Sequence, residues 1–294
     1  MSSIEDAYAA CRRLAKSHYE NFPVASRLLP ARLRPHVAAI YAFARIADDF
    51  ADEPGRDTEE RLRLLTDWRA RLHSRPVTPP DPRSSPDEGP PPGLLFDALH
   101  DTIERFDLPV ELFDDLLDAF TQDVTKTSYQ TWDEVLDYCR RSANPVGRLV
   151  LRLSGYRSDD LDRASDAVCT ALQLTNFWQD LAIDWSRGRL YVPEETWRRY
   201  AANPEMLNHE HITREWAAAL GDCADHTRRL FAAGRSVCDG VSGRLRLELR
   251  ATWLGGVRIL DRLQAAGFDV HGARPKLGAG DVLVIGCKTL FWAR

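Results

Sequence analysis

The sequence predicts an all-α fold, and three observations support that prediction. Leu, Ala, Arg, Asp and Glu dominate the 294 residues, and β-branched runs are scarce, which favours helices over strands. Apolar residues recur at helical spacing in most segments, as in Leu33, Val37, Ile40 and Ala44. No alternation of apolar and polar residues persists beyond a few positions.

The expected helices follow one another along the chain, separated by proline and glycine signals. They span residues 32–52, 94–121 in two pieces split at Leu108–Pro109, 131–154 with an interruption at Asn144–Pro145, 160–185, 211–238 and 244–266. Loops are expected at Asn203–Pro204 and at 272–280. Residues 74–93 contain eight prolines and are predicted to form a surface loop within a single domain spanning 1–294. A domain linker is the alternative for this segment.

Composition excludes several classes of partner. The net charge is −5 and no basic stripe alternates with aromatic residues, so no nucleic-acid partner is expected. The N-terminal residues do not resemble a signal peptide, and no run reaches the roughly 18–20 apolar residues of a membrane span. The six cysteines show no metal-binding spacing, which favours reduced, mostly buried thiols. A cytoplasmic location is expected, with peripheral membrane contact left open.

Two acidic motifs predict a metal site. Asp48 and Asp52 flank Asp49, and Asp180 and Asp184 repeat the same spacing, so each pair shares one face of a helix. Like charges this close repel each other unless a cation joins them. Mg²⁺ prefers oxygen ligands and is often held by one or two carboxylates together with substrate phosphates. The two motifs are therefore expected to share one cavity around a diphosphate.

The residues around these motifs are suited to phosphate. Arg45 lies one turn before Asp48, and amide side chains continue the stripe of the second motif. The residues expected to contact phosphate or metal here are Arg45, Gln173, Asn176, Arg187, Arg189 and Tyr191. A third acidic group, at Asp114, Asp115 and Asp118, has similar spacing but no basic partner in sequence, which favours a solvated surface.

Four segments resemble the squalene/phytoene synthase family. YAFARIADDFADE (41–53) and LQLTNFWQDLAIDWSRGRLYVP (172–193) are similar to its two aspartate-rich motifs. SHYENFPVASRLLP (17–30) resembles the segment in which Ser17 and His18 would contact diphosphate. SYQTWDEVLDYCRRSANPVGRL (128–149) resembles the segment that carries an active-site tyrosine, here Tyr129. The match covers nearly the whole chain, with the motifs in the family's order.

The resemblance implies a single-domain isoprenoid-synthase helical bundle with a central active-site cavity and three Mg²⁺ ions. It implies the metal ligands Asp48, Asp52, Asn176, Asp180 and Asp184, of which the aspartates act in catalysis together with Tyr129. Aromatic side chains would shield carbocations, with core packing the stronger interpretation for two of them, Phe43 and Trp178. The other aromatic candidates are Tyr41, Tyr129 and Phe177.

Two departures from the family pattern indicate a branch. Gln179 stands where many members carry Arg before the second motif, and Gly255–Gly256 stand where many carry a Tyr. These features resemble bacterial hydroxysqualene synthases, which implies conversion of presqualene diphosphate and water to hydroxysqualene without NADPH. The glycine pair is expected to leave room for water.

Two alternatives remain open. The first is head-to-head joining of two farnesyl diphosphates to presqualene diphosphate or phytoene, which would use the same aspartates. The second is a non-catalytic relative that acts in assembly. Such a relative would be expected to lose metal ligands, whereas all four aspartates are present.

Overall fold

The computed structural model describes residues 3–17, 29–74, 90–272 and 274–292, and within these ranges the regular structure is helical. Ser128 and Leu190 form an isolated parallel β-bridge, and these ranges contain no strand. The all-α prediction is thus confirmed. Contacts divide the chain into two compact units, Met1–Thr125 with Arg148–Arg157 and Lys126–Gly147 with Ser158–Arg294. The single-domain organisation stays a prediction.

The described part of the first unit contains five complete helices. They are α1 (Ile4–Ser17), α2 (Arg34–Asp52), α3 (Thr58–His73), α4 (Pro92–Phe106) and α5 (Glu111–Asp123). Asp57 caps α3 by accepting a hydrogen bond from the Glu60 amide at 2.8 Å. Helix α4 begins at Pro92, so the loop predicted at 74–93 extends two residues too far. Proline is tolerated in the first turn of a helix, because the amide hydrogen that it lacks would have no partner there. Residues 75–89 of that predicted loop lie outside the described residues.

An aromatic cluster forms the centre of this unit. Phe43 of α2 lies 6.1 Å from Trp68 of α3, 6.1 Å from Phe96 of α4 and 5.5 Å from Phe113 of α5, measured between ring centroids. The Trp68 indole donates to the Phe43 carbonyl at 3.3 Å, which satisfies its buried N–H. The predicted core role of Phe43 is confirmed.

A buried polar network joins α1, α2 and α4. The Tyr8 hydroxyl donates to Asp101 Oδ2 at 2.6 Å and lies 2.9 Å from both His36 Nδ1 and Thr102 Oγ1. Burial raises the pKa of Tyr8 and lowers the pKa of His36, which favours the neutral form of both groups. The network therefore links three helices through hydrogen bonds among the neutral Tyr8, His36 and Thr102 side chains and the Asp101 carboxylate.

Removing this hydroxyl is expected to destabilise the protein. Tyr8→Phe should lower the free energy of unfolding by about 1–3 kcal/mol, because it removes a partner shared by the buried His36 and Thr102 and the half-buried Asp101. Tyr200→Phe, at a half-buried position after α9 (Glu194–Arg199), is the control and should change the value by less than about 0.5 kcal/mol. Urea denaturation measures both, and equal stability of the two variants would contradict this role for Tyr8.

The second unit is organised around one long helix, α8 (Asp159–Ser186), which packs against α6, α10, α11 and α12. The remaining elements are α6 (Trp132–Ser142), α7 (Asn144–Leu153, whose last residues belong to the first unit), α9, a 3₁₀ helix (Pro204–Asn208), α10 (Arg214–Gly234), α11 (Val237–Gly240), α12 (Gly243–Ala265) and α13 (Ala279–Leu290). The predicted helix 211–238 divides at Arg235–Ser236. No helix was predicted at α1, α3, α9 or α13.

Glycines allow neighbouring segments to approach α8 closely. A Cβ atom placed on Gly234 of α10 would lie 2.5 Å from the Ala164 carbonyl oxygen. One placed on Gly147 of α7 would lie 2.3 Å from Ser165 Oγ and 2.5 Å from Cys169 Sγ. Real Cβ atoms do not come this close to other heavy atoms, so the backbone of α8 excludes a side chain at Gly234, whereas at Gly147 the Ser165 and Cys169 side chains would have to move.

The burial of most thiols agrees with the expectation from composition. All six cysteines are free; four are buried, Cys169 is half-buried and Cys287 is exposed. In the described part of the chain, no helix combines the length and the apolar character needed to cross a membrane.

Candidate active site

The first acidic motif lies near the end of α2 and is paired with an arginine one turn earlier. Arg45 Nη2 donates to Asp49 Oδ1 at 2.5 Å, and its Nη1 lies 3.6 Å from Asp48 Oδ2. Burial opposes the charge of Arg45, but Asp49 and then Asp48 outweigh it and raise the pKa of the guanidinium. Arg45 is therefore a fixed cation within the motif, held mainly by Asp49, the aspartate not predicted as a metal ligand.

The second motif lies in the last turns of α8. Asn176 Nδ2 donates to Asp180 Oδ2 at 2.6 Å, so the predicted stripe of amide and carboxylate groups is present. Asp184 follows one turn later and is half-buried, as is Gln173 one turn before Asn176. These side chains share a helix face that is neither sealed in the core nor fully open to solvent.

The chain folds back directly after this motif. The backbone amides of Arg187 and Arg189 donate to the Asp184 carbonyl at 3.0 and 2.9 Å and end α8. The Arg187 side chain is exposed, whereas that of Arg189 is half-buried. Both predicted phosphate-contacting arginines thus follow Asp184 directly after the end of α8.

Arg274 is a residue of this site that the sequence did not reveal. Its Nη2 donates to Asp180 Oδ2 at 2.9 Å, and its Nε donates to Asp180 Oδ1, giving a two-pronged ion pair. Nearby, the Gln179 side chain donates to the Pro275 carbonyl. The segment before α13 is therefore held on α8 at the motif, and Gln179 takes part in holding it.

A buried aromatic cluster contains two of the predicted site residues. Tyr129 is 2 % exposed, and its ring stacks on Tyr191 at 5.6 Å between centroids. Tyr191 in turn stacks on Phe177 of α8 at 3.8 Å, and Tyr138 meets Tyr129 edge-on at 5.8 Å. Lys126 Nζ lies 4.7 Å from the Tyr129 ring centre. The cluster offers π faces of the kind that stabilise a nearby cation.

Backbone hydrogen bonds join the two loop segments that carry Tyr129 and Tyr191. The Leu190 amide donates to the Thr127 carbonyl at 2.8 Å, and the Glu194 amide donates to the Tyr129 carbonyl at 2.9 Å.

Two further aromatic candidates, Trp178 and Tyr41, are buried as well. Trp178 is fully buried and donates to Thr227 Oγ1 at 2.9 Å, which confirms its predicted core role. Tyr41, one turn before Arg45, is buried, and burial raises the pKa of its hydroxyl.

The expectation that Gly255–Gly256 leave room for water is wrong at Gly256. A Cβ atom there would lie 2.5 Å from Phe231 Cζ and 2.7 Å from Leu172 Cδ2. At Gly255 the nearest atom, Leu277 Cδ1, would be at an ordinary 3.6 Å. Gly256 thus serves close packing of α12 against α8 and α10 and opens no space.

The third acidic group also differs from expectation in one respect. Arg69 of α3 donates to Asp114 Oδ1 at 3.0 Å and to Asp118 Oδ1 at 2.5 Å, so the group does have a basic partner. That partner comes from another helix, which spacing in sequence does not show. Asp118 is largely exposed, in agreement with a surface position.

The two remaining predicted diphosphate contacts, Ser17 and His18, fall at the end of α1. Ser17 is the last residue of α1, but its side chain lies outside the described residues, as does all of His18. Among the residues that the structure describes, no three His, Cys, Asp or Glu side chains group closely enough to hold a metal ion by themselves.

Comparison with known proteins places the chain among isoprenoid synthases. Residues 15–281 match the family model of squalene/phytoene synthase. A hydroxysqualene synthase from Rhodopseudomonas palustris is 36% identical over 259 residues, covering 86% of this chain and 82% of the relative. One from Zymomonas mobilis is 36% identical over 228 residues, covering 76% and 71%.

A solved structure agrees with these relatives. The crystal structure of squalene synthase HpnC from Alicyclobacillus acidocaldarius superposes with a TM-score of 0.79 at 37% identity. The match covers 90% of this chain and 95% of that one.

Proposed function

Because the chain belongs to the squalene/phytoene synthase family, we propose that this enzyme converts presqualene diphosphate and water to hydroxysqualene and diphosphate. The observation that carries the proposal is the 36% identity to a hydroxysqualene synthase over 86% of the chain. Both aspartate motifs are intact within the matched region. The reaction would serve squalene and hopanoid biosynthesis and would need no NADPH.

The donor set fits a divalent cation of the Mg²⁺ type. In each motif an arginine guanidinium already pairs with a carboxylate, Arg45 with Asp49 and Arg274 with Asp180, so a metal ion would share these acidic groups with a fixed cation. Mg²⁺ would be held by carboxylate and amide oxygens and would stabilise the charge of the departing diphosphate. The proposed ligands, for up to three ions, are Asp48, Asp52, Asn176, Asp180 and Asp184.

The protein's own groups would bind and orient the diphosphate. Arg45, Arg187 and Arg189 bring permanent positive charge, and Gln173 and Tyr191 can donate hydrogen bonds. Ser17 and His18 are proposed as further contacts because of their position in the family motif. Arg274 keeps the Asp180 carboxylate oriented through its two-pronged ion pair.

Ionisation breaks the carbon–oxygen bond, and the electron pair leaves with the diphosphate. The carbocation rearranges, water adds through its oxygen, and the extra proton is released. The stacked rings of Tyr129, Tyr191 and Phe177 supply a buried aromatic surface. Such rings can stabilise a nearby positive charge electrostatically, without forming a bond to it. The aspartates and Tyr129 are thus the proposed catalytic groups.

A product assay tests this function. Purified protein with Mg²⁺ is expected to convert presqualene diphosphate to hydroxysqualene with no NADPH added, and to leave farnesyl diphosphate unreacted. Extraction and mass spectrometry identify the products. Presqualene diphosphate or phytoene formed from prenyl diphosphates alone would contradict the proposal in favour of head-to-head condensation. Absence of turnover with either substrate would favour an assembly role.

A further inference from the structure

The helix α13 exposes an unusual amount of apolar surface. Of the eight large apolar side chains that the described residues leave exposed, six lie between residues 277 and 291. Leu283 is 71% exposed and Phe291 is 82% exposed. Single exposed apolar side chains are ordinary, but a contiguous group on one element indicates a surface that binds something. The group is Leu277, Val282, Leu283, Val284, Leu290 and Phe291.

The two fully buried residues of α13, Asp281 and Thr289, are polar, and the half-buried Ile285 lies between them on the same side. Asp281 is only 3% exposed and accepts hydrogen bonds from Arg258 Nε at 2.7 Å, from Arg262 and from the Gly278 amide at 2.7 Å. Thr289, two turns later, is buried as well. A buried carboxylate is tolerated because it is paired, so the ion pairs with α12 fix α13 in this orientation.

The orientation of α13 differs from that of an ordinary surface helix, because most of its large apolar side chains point outward. Helices on a water-exposed surface turn their apolar side to the core and their charges outward. Here Leu283, Cys287 and Leu290 follow one another at i, i+4 and i+7 on the outward side. The outward strip is therefore apolar along its whole length, and Lys288 is the charged residue beside it.

The charge around this strip indicates which environment covers it. Residues 241–294 contain nine Lys and Arg and four Asp and Glu, and four of the arginines are paired with aspartates, namely Arg250, Arg258, Arg262 and Arg274. Lys276, just before α13, and Lys288, within it, are exposed. Arg235 and Arg250 lie 4.5 and 5.0 Å from the Trp292 ring centre, beyond the helix end. Apolar surface bordered by basic side chains complements anionic lipid headgroups.

We propose that the outward strip of α13 seats the enzyme on the surface of an anionic lipid bilayer. A helix of 12 residues is about 18 Å long, too short to cross the roughly 30 Å hydrocarbon layer, so it lies along the interface. The strip inserts its apolar side chains between the headgroups, and the basic side chains contact the lipid phosphates. The proposal rests on this surface and not on the proposed reaction, although a C30 product would dissolve in the same bilayer.

Vesicle flotation with the full chain tests the proposal. The protein is expected to float with phosphatidylcholine vesicles that contain phosphatidylglycerol, and more weakly with pure phosphatidylcholine. The double variant Leu283→Gln/Leu290→Gln should lower the partition coefficient about tenfold or more, because two inserted leucines become polar. Ile4→Gln, at another exposed apolar position, is the matched control and should bind like the wild type. Lys288→Gln should weaken binding only to the anionic vesicles and mainly at low salt.

Further readouts keep the outcomes distinct. Thermal melting shows whether the double variant folds, and turnover in detergent reports the reaction separately from lipid binding. A wild-type protein that does not float, or a folded double variant that floats equally well, would overturn the proposal. Light scattering that reveals a dimer lost in the double variant, with no vesicle binding by the wild type, would assign the strip to a second copy of the chain and likewise reject the lipid surface.

Discussion

Asp180→Asn is expected to reduce kcat/KM for presqualene diphosphate by at least about 10³-fold, because it removes a negative charge proposed to bind Mg²⁺ at the diphosphate. The substitution keeps the shape of the side chain. It also keeps an acceptor oxygen for Asn176 or Arg274, both of which contact Asp180. The fold should therefore survive, and the loss should lie in catalysis. Asp48→Asn is expected to give a loss of similar size.

Asp118→Asn provides the matched control. This aspartate also lies on a helix and pairs with an arginine, Arg69, but belongs to the surface group of α5. It should leave kcat/KM within about twofold of the wild type. Magnesium titration separates the roles further, since loss of a metal ligand raises the Mg²⁺ concentration needed for half-maximal rate. Wild-type kinetics for Asp180→Asn across the titration would remove the aspartate from the metal site.

Adjacent glycines of α12 are expected to respond in opposite directions to the same substitution. Gly256→Ala should destabilise the protein by about 1–3 kcal/mol, because its methyl group would overlap Phe231 and Leu172 in a packed interior. Gly255→Ala meets its nearest atom at 3.6 Å and gains helix propensity, which is worth up to about 1 kcal/mol of stabilisation. Gly256→Tyr should be far more disruptive than either.

Chemical denaturation of both alanine variants measures this contrast. The midpoint for Gly256→Ala is expected below that of the wild type and the midpoint for Gly255→Ala at or above it. A stable Gly256→Tyr variant with an altered product profile would instead revive the idea that this position controls access of water. Equal midpoints for the two alanine variants would show that α12 can shift to admit a methyl group.

Local sequence patterns were sufficient to predict most of the helices. The predicted helix at 160–185 agrees with α8 to within one residue at each end. Acidic residues in the first turn mark the start of the helix, and Gly188, two residues after its last residue, marks the end. The break at Asn144 was predicted from Asn144–Pro145, and α7 begins there. α13 was missed because it follows a glycine- and proline-rich segment and turns its apolar side outward. A search for core-facing helices does not detect such a pattern.

The candidate site was predictable where its residues lie close together in sequence. Asn176 and Asp180 were placed on one stripe by helical spacing, and the structure joins them at 2.6 Å. Arg274 was missed because it lies 94 residues from Asp180, in a segment expected to be a loop. The tight contact at Gly256 depends on Phe231 and Leu172 from two other helices, and no local pattern encodes it.

The glycine contacts of α8 have a consequence for where damaging mutations will be found. Ser165, which faces Gly147, precedes Asp180 by 15 residues, a separation of about 22 Å along a straight helix. A side chain added at Gly147 or Gly234 pushes on the N-terminal half of α8, and a stiff helix carries that displacement to its other end. Random mutagenesis should therefore return inactive variants at these remote glycines alongside those at the aspartates, whereas Gly255 of α12 should tolerate change.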